Sequence, residues 1–368
     1  MATKSVKKVA RPSAPRPPKG DLKGLSDAQL LECYRAMLRL RTLDERMITL
    51  QRQGRIGFYG ACTGQEAATI GAGYALEDRD WIFPGLREAG IMLLRGFPLV
   101  PYISQVFGNQ ADVTKGRQMP SHQASREVNQ VSWSSVIGTQ ISQAVGAAYA
   151  ARYKKDEVVC AAFFGDGATS SADFHTAMNF AGVFKVPVVF ICQNNHWSIS
   201  VPTRRQTAAE SIAVKGQAYG IPGVKVDGND VEVVVAAVRE AVERARKGGG
   251  PTLVELDTYR IGAHSTSDDP TKYRDQAEVD AWKKRDPIDG CRAKLLGRGA
   301  WTEKDDEKLK AELLDEVNAA IKQAETYKDP ALETLFEDVY AQETWNIAEQ
   351  REEYFATPRA NPKREEDH

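Results

Sequence analysis

Helical and strand-like spacing of apolar residues alternates along most of this chain. Ser26 fits an N-cap, and Leu30, Met37 and their neighbours recur every three or four positions, so we expect a helix over 27–52. A second amphipathic helix, with charged residues outside its apolar stripe, is predicted over 302–326. Helices are therefore expected at both ends of the patterned region.

Between these two helices, short continuous apolar runs alternate with longer helical patterns. The runs of strand length cover 158–164, 186–192, 224–226 and 252–259, and the helical patterns cover 138–153, 171–184 and 231–247. Continuous apolar strands separated by helices are typical of a parallel sheet with both faces buried. The sequence predicts an α/β fold with a doubly wound, mostly parallel sheet and with N-terminal and C-terminal helical extensions.

The same patterns divide the chain into four parts. We expect a disordered basic tail over 1–24, an α/β domain over 25–300, a C-terminal helical extension over 301–357 and a loose tail over 358–368. The first tail is rich in lysine, arginine and proline and has few apolar positions. This composition favours a solvated or partner-contacting arm over a cleaved targeting segment.

Composition narrows the class of protein. Apolar residues make up 42% of the 368 positions and charged residues 27%, as in ordinary globular proteins. The 49 basic and 50 acidic side chains leave no basic surplus for nucleic-acid binding. The charge-free stretch over 128–151 is rich in amide and hydroxyl groups, which a bilayer would not accommodate. We therefore expect no membrane partner and look for a buried site near this stretch.

The cysteines point to a reducing compartment. All five are widely spaced and none forms a CxxC pair, which argues against a zinc ribbon and against a disulfide framework. The start of the chain also lacks the long apolar segment that a secretion signal would contain, so we do not expect secretion. The expected location is the cytoplasm of a bacterium, with the mitochondrial matrix as the alternative.

Two polar segments follow apolar runs at positions where an α/β sheet binds its ligands. Gly165, Asp166 and Gly167 close the run over 158–164, and Asn194–Asn195 follows the next run. Glycines let a phosphate approach the backbone, and a divalent cation would explain an aspartate beside that phosphate. A lone Gly-Asp-Gly is usually a turn, but its pairing with amides on the next strand predicts a magnesium-diphosphate site.

The pairing offers a defined set of oxygen ligands for magnesium. They are the carboxylate of Asp166, the amide oxygen of Asn195 and the backbone carbonyl of Trp197. The pairing resembles the motif that holds thiamine diphosphate and magnesium in transketolase-like enzymes and decarboxylases. The sequence has neither a GxxxxGK[ST] phosphate loop nor a GxGxxG after a strand, which weighs against nucleotide-binding alternatives.

Further segments, in order along the chain, make the resemblance specific. They are Gly-Phe-Tyr at 57–59, Gly-Gln-Glu-Ala at 64–67, Leu-Arg-Glu-Ala-Gly at 86–90, Lys-Gly-Arg-Gln-Met-Pro at 115–120, the run over 139–148, Val-Asp-Gly-Asn-Asp at 226–230, and the histidine-containing run over 259–269. Together they resemble the alpha subunit of the decarboxylating component of 2-oxo acid dehydrogenase complexes, over about residues 27 to 345. The segments at 115–120, 226–230 and 259–269 look closest to the branched-chain, 2-oxoisovalerate member.

The resemblance implies roles for individual residues. Arg87 matches an arginine that pairs with the cofactor diphosphate, His264 matches a catalytic loop histidine that also contacts the cofactor, and Ser265 matches a serine that animal enzymes phosphorylate. The other implied cofactor-binding positions are Ser135, Ile137, Gly165, Asp166, Gly167, Ala168, Gln193 and Asn195. A potassium site is implied at Ser134, Val136, Thr139 and Gln140, and Phe58 is expected to face the acyl group of the substrate.

The activity implied by the resemblance is thiamine-diphosphate-dependent oxidative decarboxylation of a 2-oxo acid, with branched-chain acids favoured, and reductive acylation of a lipoyl group. Magnesium and potassium are the implied ions. The implied partners are a beta subunit, in a heterotetramer of two alpha and two beta chains, and a lipoyl-bearing acyltransferase core. Pyruvate and acetoin dehydrogenase alpha subunits are alternatives, and so is a subunit that holds the cofactor without turnover. A transketolase or simple decarboxylase is disfavoured because those chains are usually longer and contain both halves of the cofactor site.

Some positions depart from the family pattern. Leu86 stands where tyrosine is frequent, Gln193 replaces an arginine of the branched-chain member, and Ala263 replaces the first of two adjacent histidines. These departures favour the non-catalytic alternative, since they remove a hydroxyl and a cation from the diphosphate pocket. Among the other histidines, His122 is a candidate for a hydrogen bond within the site and His196 for a contact with the diphosphate.

Overall fold

The computed structural model describes residues 24–338 and 340–357. The helices in these ranges are α1 (Asp27–Arg52), α2 (Glu66–Tyr74), α3 (Gly90–Leu94), α4 (Leu99–Phe107), α5 (Thr139–Lys154), α6 (Ala172–Phe184), α7 (Val231–Arg246), α8 (Gln276–Lys283), α9 (Pro287–Gly297), α10 (Glu303–Ala324) and α11 (Trp345–Ala356). The strands are β1 (Trp81–Phe83), β2 (Cys160–Gly165), β3 (Val188–Asn194), β4 (Trp197–Ser198), β5 (Val201–Pro202), β6 (Gly223–Asp227) and β7 (Thr252–Asp257). The predicted basic tail, except Gly24, and the predicted loose tail over 358–368 lie outside the described residues.

Five strands form one parallel sheet in the order β1-β2-β3-β7-β6, and β4 pairs with β5 separately in an antiparallel arrangement. Alternate strand residues face opposite layers of helices. Ala162 and Phe190 pack against α5 and α6, whereas Phe163 and Ile191 pack against α1, α2 and α7. Helices therefore cover both faces of the sheet. The predicted α/β class with a doubly wound, mostly parallel sheet is confirmed.

The helix at the start of the described chain has the predicted bounds. Ser26 Oγ accepts a hydrogen bond from the Gln29 amide at 3.3 Å, and the Gln29 side chain accepts one from the Ser26 amide at 3.0 Å. This reciprocal capping box satisfies two amide groups that the first helical turn leaves unpaired. The apolar stripe of α1 is buried against α2, α9 and α10, which fixes the helix on one face of the domain.

The amphipathic helix α10 packs back onto the rest of the chain. Leu309 and Leu313 join the main core, and Val317 and Ile321 pack against α4 and the second half of α1. By contrast, no residue of α11 is buried in the described chain, and Trp345 at its start is 79% exposed. The division into a domain over 25–300 and an extension over 301–357 stays a prediction.

The register of the sheet decides which polar residues meet. Gly165 at the end of β2 pairs with Gln193 near the end of β3, so the segments that follow both strands emerge side by side. Each of these strands extends at least one residue beyond its predicted apolar run. Within residues 24–338 and 340–357, no helix has the length and hydropathy needed to cross a bilayer.

Candidate active site

A cavity of about 330 Å³ lies at the carboxyl ends of β2 and β3. The predicted site residues that line it are Phe58, Arg87, Ser134, Ser135, Ile137, Gln140, Gly165, Asp166, Gly167, Ala168, Gln193, Asn195, Trp197 and His264. Val136 and Thr139 are not among the described residues of its lining, and Ser265 lines a separate cavity together with Thr266. Residues from distant parts of the sequence therefore meet at the carboxyl ends of β2 and β3, where the sequence analysis expected the site.

Asp166 presents a buried carboxylate to this cavity. The side chain is 1% exposed, and its Oδ2 accepts hydrogen bonds from Gln206 Nε2 at 2.6 Å and from Thr203 Oγ1 at 3.0 Å. Its Oδ1 is buried without a hydrogen-bond partner among the described residues. Burial raises the pKa of this carboxyl, while the bonds from Gln206 and Thr203 oppose the rise. A buried carboxylate oxygen without a donor fits contact with a cation.

Asn195 and Trp197, which line the same cavity as Asp166, offer two further oxygen atoms. Asn195 Nδ2 donates to Gln65 Oε1 at 2.9 Å, and Asn195 Oδ1 accepts from the Trp197 amide at 3.2 Å. The Trp197 carbonyl accepts one long hydrogen bond, 3.4 Å from Arg260 Nη1. Because each of these oxygens has a second lone pair, both keep the capacity to bind a metal ion.

The donor set suits a hard divalent cation. No group of three His, Cys, Asp or Glu side chains that could hold a metal occurs in the part of the chain that the structure describes. The candidate ligands are therefore one carboxylate, one amide oxygen and one backbone carbonyl, which is the kind of set that magnesium takes when phosphate supplies further oxygens. At Gly167 an added Cβ would lie 2.2 Å from Ser198 Oγ, so only glycine lets this turn approach β4.

Arg87 connects the cavity to two loops. Its Nη1 donates to the Ala61 carbonyl, and its Nη2 donates to the His264 carbonyl at 2.8 Å. The guanidinium is buried, which lowers its pKa, although an arginine side chain remains protonated at neutral pH. A guanidinium has five N–H groups, so Arg87 keeps donors for an anion in the cavity.

His264 is a neutral imidazole in this environment. Burial, followed by the nearby positive charges of Arg87 and Arg260, lowers its pKa to about 4. The His264 backbone amide donates to Asp268 Oδ2 at 2.7 Å. Two residues later, the Thr266 amide donates to the Tyr59 carbonyl at 3.0 Å. The loop that carries His264 is thus tied down on both sides of the imidazole.

The charge-free stretch contributes hydroxyl and amide groups to the cavity. Ser135 Oγ and His122 Nε2 are 2.6 Å apart, so the expected hydrogen bond of His122 within the site is present. Gln140 Nε2 donates to the Phe163 carbonyl at 2.9 Å, whereas its Oε1 is buried without a partner in the described chain. The Val136 amide donates to Ser134 Oγ at 3.2 Å, which forms a local turn in the loop that precedes α5.

Gln193 and His196, both considered as contacts of the diphosphate, lie in different surroundings: Gln193 lines the cavity and His196 is not among the described residues that line it. Gln193 Nε2 donates to Thr69 Oγ1 at 3.0 Å, and Gln193 Oε1 has no partner within the described ranges. His196 Nε2 lies 2.8 Å from Asp257 Oδ1 and is not among the described residues that line the cavity. The sequence-based suggestion that His196 contacts the diphosphate therefore has no support from its position.

Gln65, Glu88 and Trp133 are among the lining residues to which the sequence analysis assigned no role. Burial raises the pKa of Glu88 to about 7, and its Oε2 accepts from the Arg87 amide at 3.1 Å. The Trp133 ring stacks on His122 with centroids 3.9 Å apart. Gln65 and Glu88 belong to segments that carried the family resemblance, and Trp133 belongs to the charge-free stretch over 128–151, so each lay in a segment that the sequence had marked.

Comparison with known proteins identifies the family of the chain. The chain matches the family described as "Dehydrogenase E1 component" over residues 34–333. It is 42% identical over 327 residues to 2-oxoisovalerate dehydrogenase subunit alpha 2, mitochondrial, of Arabidopsis thaliana, covering 89% of this chain and 69% of the relative. It is 42% identical over 329 residues to the human 2-oxoisovalerate dehydrogenase subunit alpha, mitochondrial, covering 89% and 74%. It is 43% identical over 332 residues to 3-methyl-2-oxobutanoate dehydrogenase subunit alpha of Mycobacterium tuberculosis, covering 89% and 87%. The chain belongs to the dehydrogenase E1 component family.

Proposed function

We propose that this chain is the alpha subunit of a 2-oxo acid dehydrogenase that acts on branched-chain 2-oxo acids with thiamine diphosphate. The reaction is oxidative decarboxylation of the acid and reductive acylation of a lipoyl group on an acyltransferase component. Relatives named for 2-oxoisovalerate and 3-methyl-2-oxobutanoate, each covered over more than two thirds of its length, support the substrate class. Family membership itself implies thiamine diphosphate.

The observation that carries the proposal is the buried, unpartnered Oδ1 of Asp166 in a cavity that also contains Asn195, Arg87 and His264. Magnesium would be held by Asp166, the Asn195 amide oxygen and the Trp197 carbonyl, with diphosphate oxygens completing the shell. When bound, thiamine diphosphate would supply a nucleophilic carbon and a thiazolium ring that accepts the electron pair released on loss of carbon dioxide. Arg87 contributes N–H donors and positive charge toward the diphosphate.

The protein's part in the chemistry falls to groups whose protonation the cavity controls. His264 is neutral at pH 7, so it accepts or donates one hydrogen bond without adding charge beside Arg87. The apolar rings of Phe58 and Trp133, together with Met119, give one side of the cavity a low-polarity surface suited to a branched acyl chain. Ser134, Val136, Thr139 and Gln140 are proposed to hold potassium, for which the unpaired Gln140 Oε1 is the supporting feature within the described residues.

Assembly with other chains is part of the proposal. Ile137 is 54% exposed and Val136 is 68% exposed beside the cavity, which is consistent with a second chain covering its opening. We propose that this second, covering chain is a beta subunit, that the complex contains two alpha and two beta chains, and that the complex docks on a lipoyl-bearing core. The five cysteines are free and buried, which supports the cytoplasm of a bacterium, with the mitochondrial matrix as the alternative. Ser265 is proposed as a phosphorylation site.

The test is an assay of the chain co-purified with its beta subunit, using a panel of branched-chain 2-oxo acids, pyruvate and acetoin with thiamine diphosphate and Mg²⁺. We expect the highest kcat/KM for a branched-chain acid. A preference for pyruvate or acetoin would assign the chain to one of those dehydrogenases. Cofactor binding without turnover of any acid would instead indicate a non-catalytic subunit.

The metal site has its own test in the variant Asp166→Asn. This variant keeps an acceptor for Thr203 but loses the charge, and we expect Mg²⁺ affinity to fall at least about 100-fold, beyond the usual effect of residues around a metal ligand. The matched control is Asp173→Asn, because Asp173 bonds to Ser142 on α5 and lies outside the described lining of the cavity. Unchanged Mg²⁺ affinity in Asp166→Asn would refute the assignment.

A further inference from the structure

We propose that Gln65 is a positioning residue of the metal site: it fixes the orientation of the Asn195 amide and directs its own N–H toward the anion that the metal holds. This inference rests on the proposed function, because it assumes that Asp166 and Asn195 bind a divalent cation together with a diphosphate. Gln65 belongs to the Gly-Gln-Glu-Ala segment at 64–67, to which the reaction itself gives no role.

The backbone around Gln65 is held in one position. Gln65 is fully buried immediately before α2, where its amide donates to the Cys62 carbonyl at 2.8 Å and its carbonyl accepts from the Thr69 amide at 3.0 Å. The preceding Gly64 has a φ of +92°, and a Cβ at this residue would lie 2.6 Å from the Tyr259 carbonyl. The turn therefore packs directly on the segment that follows β7, which leaves the Gln65 side chain little freedom.

The contacts of Asn195 settle which atom of each amide is oxygen. The Trp197 backbone amide lies 3.2 Å from Asn195 Oδ1, and an N–H group donates only to an acceptor, so this atom must be the oxygen. Asn195 Nδ2 then faces Gln65, 2.9 Å from the atom that must accept its hydrogen, which is Gln65 Oε1. Gln65 consequently holds the Asn195 nitrogen away from the metal and leaves the oxygen as the ligand.

Because Gln65 Oε1 must accept from Asn195, the other atom of this amide, Gln65 Nε2, is the donor, and it has no acceptor among the described residues. This nitrogen is buried and has no hydrogen-bond acceptor among the described residues, and Gln65 lines the cavity. Buried amide donors are normally paired, so an unpaired one beside a candidate anion site indicates a bond made only when the ligand is present. A neutral N–H donor at this position fits a diphosphate oxygen and does not compete with the cation.

Two substitutions separate these roles. In Gln65→Glu a carboxylate oxygen still accepts from Asn195 but the N–H donor is lost, whereas in Gln65→Leu both are lost. The matched control is Gln130→Leu, because Gln130 is also a buried glutamine, 2% exposed, and is absent from the described lining of the cavity. Mn²⁺ affinity at saturating thiamine diphosphate, from the EPR signal of the free ion, and thiamine diphosphate affinity at saturating Mn²⁺, from calorimetry, are measured on the complex with the beta subunit.

We expect Gln65→Leu to weaken Mn²⁺ binding about 10- to 100-fold, the usual range for a residue that orients a metal ligand. Gln65→Glu keeps Mn²⁺ affinity near that of the unchanged chain, while both variants lose affinity for thiamine diphosphate. Gln130→Leu changes neither quantity. If Gln65→Leu does not assemble with the beta subunit, Gln65→Glu alone tests the proposal. In that variant, unchanged Mn²⁺ affinity together with weakened thiamine diphosphate affinity is the result that only the proposed role explains.

Other outcomes overturn the proposal in distinguishable ways. Equal loss of Mn²⁺ affinity in Gln65→Glu and Gln65→Leu would remove the orienting role, and so would a Gln65→Leu variant that binds Mn²⁺ like the unchanged chain. If the unchanged chain binds thiamine diphosphate and Mn²⁺ and oxidises 2-oxo acids in such a case, the proposed function survives and only the role of Gln65 falls. An unchanged chain that binds neither ligand would contradict both.

Discussion

Asp44 tests how strongly burial controls ionisation beneath the active-site loop. The side chain is 1% exposed; its Oδ1 accepts from the Tyr59 hydroxyl at 2.8 Å and its Oδ2 accepts from the Cys62 amide at 2.6 Å. These bonds hold the loop segment whose Ala61 carbonyl accepts from Arg87. Burial raises the pKa of Asp44 from its ordinary 3.8 to about 7, against the opposing effect of its hydrogen bonds. The perturbation is the substitution Asp44→Asn, which removes this titration and keeps the volume.

The magnitude follows from the difference between folded and unfolded pKa. Because the folded pKa of this acid is raised, the folded chain binds more protons than the unfolded chain between about pH 4 and pH 7. The stabilisation is complete below pH 4 and is lost as the pH rises through 7, with a total of about 4 kcal/mol. Between pH 5 and pH 7 the loss is about 2 kcal/mol, because Asp44 is half-ionised at the upper limit. For 368 residues at about 2.1 cal/mol/K of unfolding entropy per residue, this corresponds to about 3 °C in Tm.

The assay is thermal unfolding of the isolated 368-residue chain and of its Asp44→Asn variant, at pH 5, 6 and 7 and one scan rate. We expect the Tm of the unchanged chain minus that of the variant to fall by about 3 °C from pH 5 to pH 7. Asp306→Asn is the matched control: Asp306 is also 1% exposed, but ion pairs with Lys310 and Arg292 outweigh burial and lower its pKa. Its Tm difference should stay constant over this range. A difference for Asp44→Asn that stays constant or grows with pH would refute the reasoning from burial.

Three further predictions concern the cavity. Gly167→Ala should destabilise the chain by about 1–3 kcal/mol, because the added Cβ would lie 2.2 Å from Ser198 Oγ; an unchanged melting temperature would contradict the packing of this turn. In NMR titration His264 should show a pKa of about 4, and Arg87→Gln should raise it toward 6.5; no rise would mean that Arg87 does not act on the imidazole. Trp133→Leu should widen the apolar side of the cavity and shift kcat/KM toward longer 2-oxo acids by roughly tenfold per methylene, and an unaltered preference would place the acyl chain elsewhere.

The sequence predicted the parallel sheet well because a continuous apolar run is a local signal, but it placed the ends of the strands less well. The run over 186–192 identified β3 but ended at its last apolar residue, whereas the strand continues through Asn194. Backbone pairing does not require an apolar side chain, so polar residues at the end of a buried strand conceal where it ends. The strand β1 escaped detection because its three residues, Trp81–Phe83, are too few to show a period.

The contacts that shape the cavity had no local signal. Arg87 donates to the backbone carbonyl of His264, a contact that any residue type at position 264 would offer, so nothing in the sequence indicated which loop it ties down. The depressed pKa of His264 likewise arises first from burial and then from Arg87 and Arg260, and all three effects exist only in the folded chain. Sequence reasoning expected an imidazole that exchanges protons near neutral pH, and the folded environment instead gives a neutral one.

The charge balance of the cavity bears on the proposed diphosphate site, in which Gln193 stands where the branched-chain resemblance led us to expect arginine. Among the described residues that line the cavity, Arg87 is the one arginine, and there is no lysine. Asp166 and Glu88 are acidic residues, and His264 is neutral. The protein therefore brings no excess of positive charge to a diphosphate. Unit charges 4 Å apart interact by about 4 kcal/mol near a protein surface, so a diphosphate beside Asp166 is unfavourable unless a cation separates them. The same carboxylate that repels a bare diphosphate attracts a divalent ion, and binding of each ligand then creates the site for the other. In the proposed site, a neutral glutamine in place of arginine would leave the neutralisation of the diphosphate to the metal, so we expect the cofactor and its cation to bind this chain as a pair.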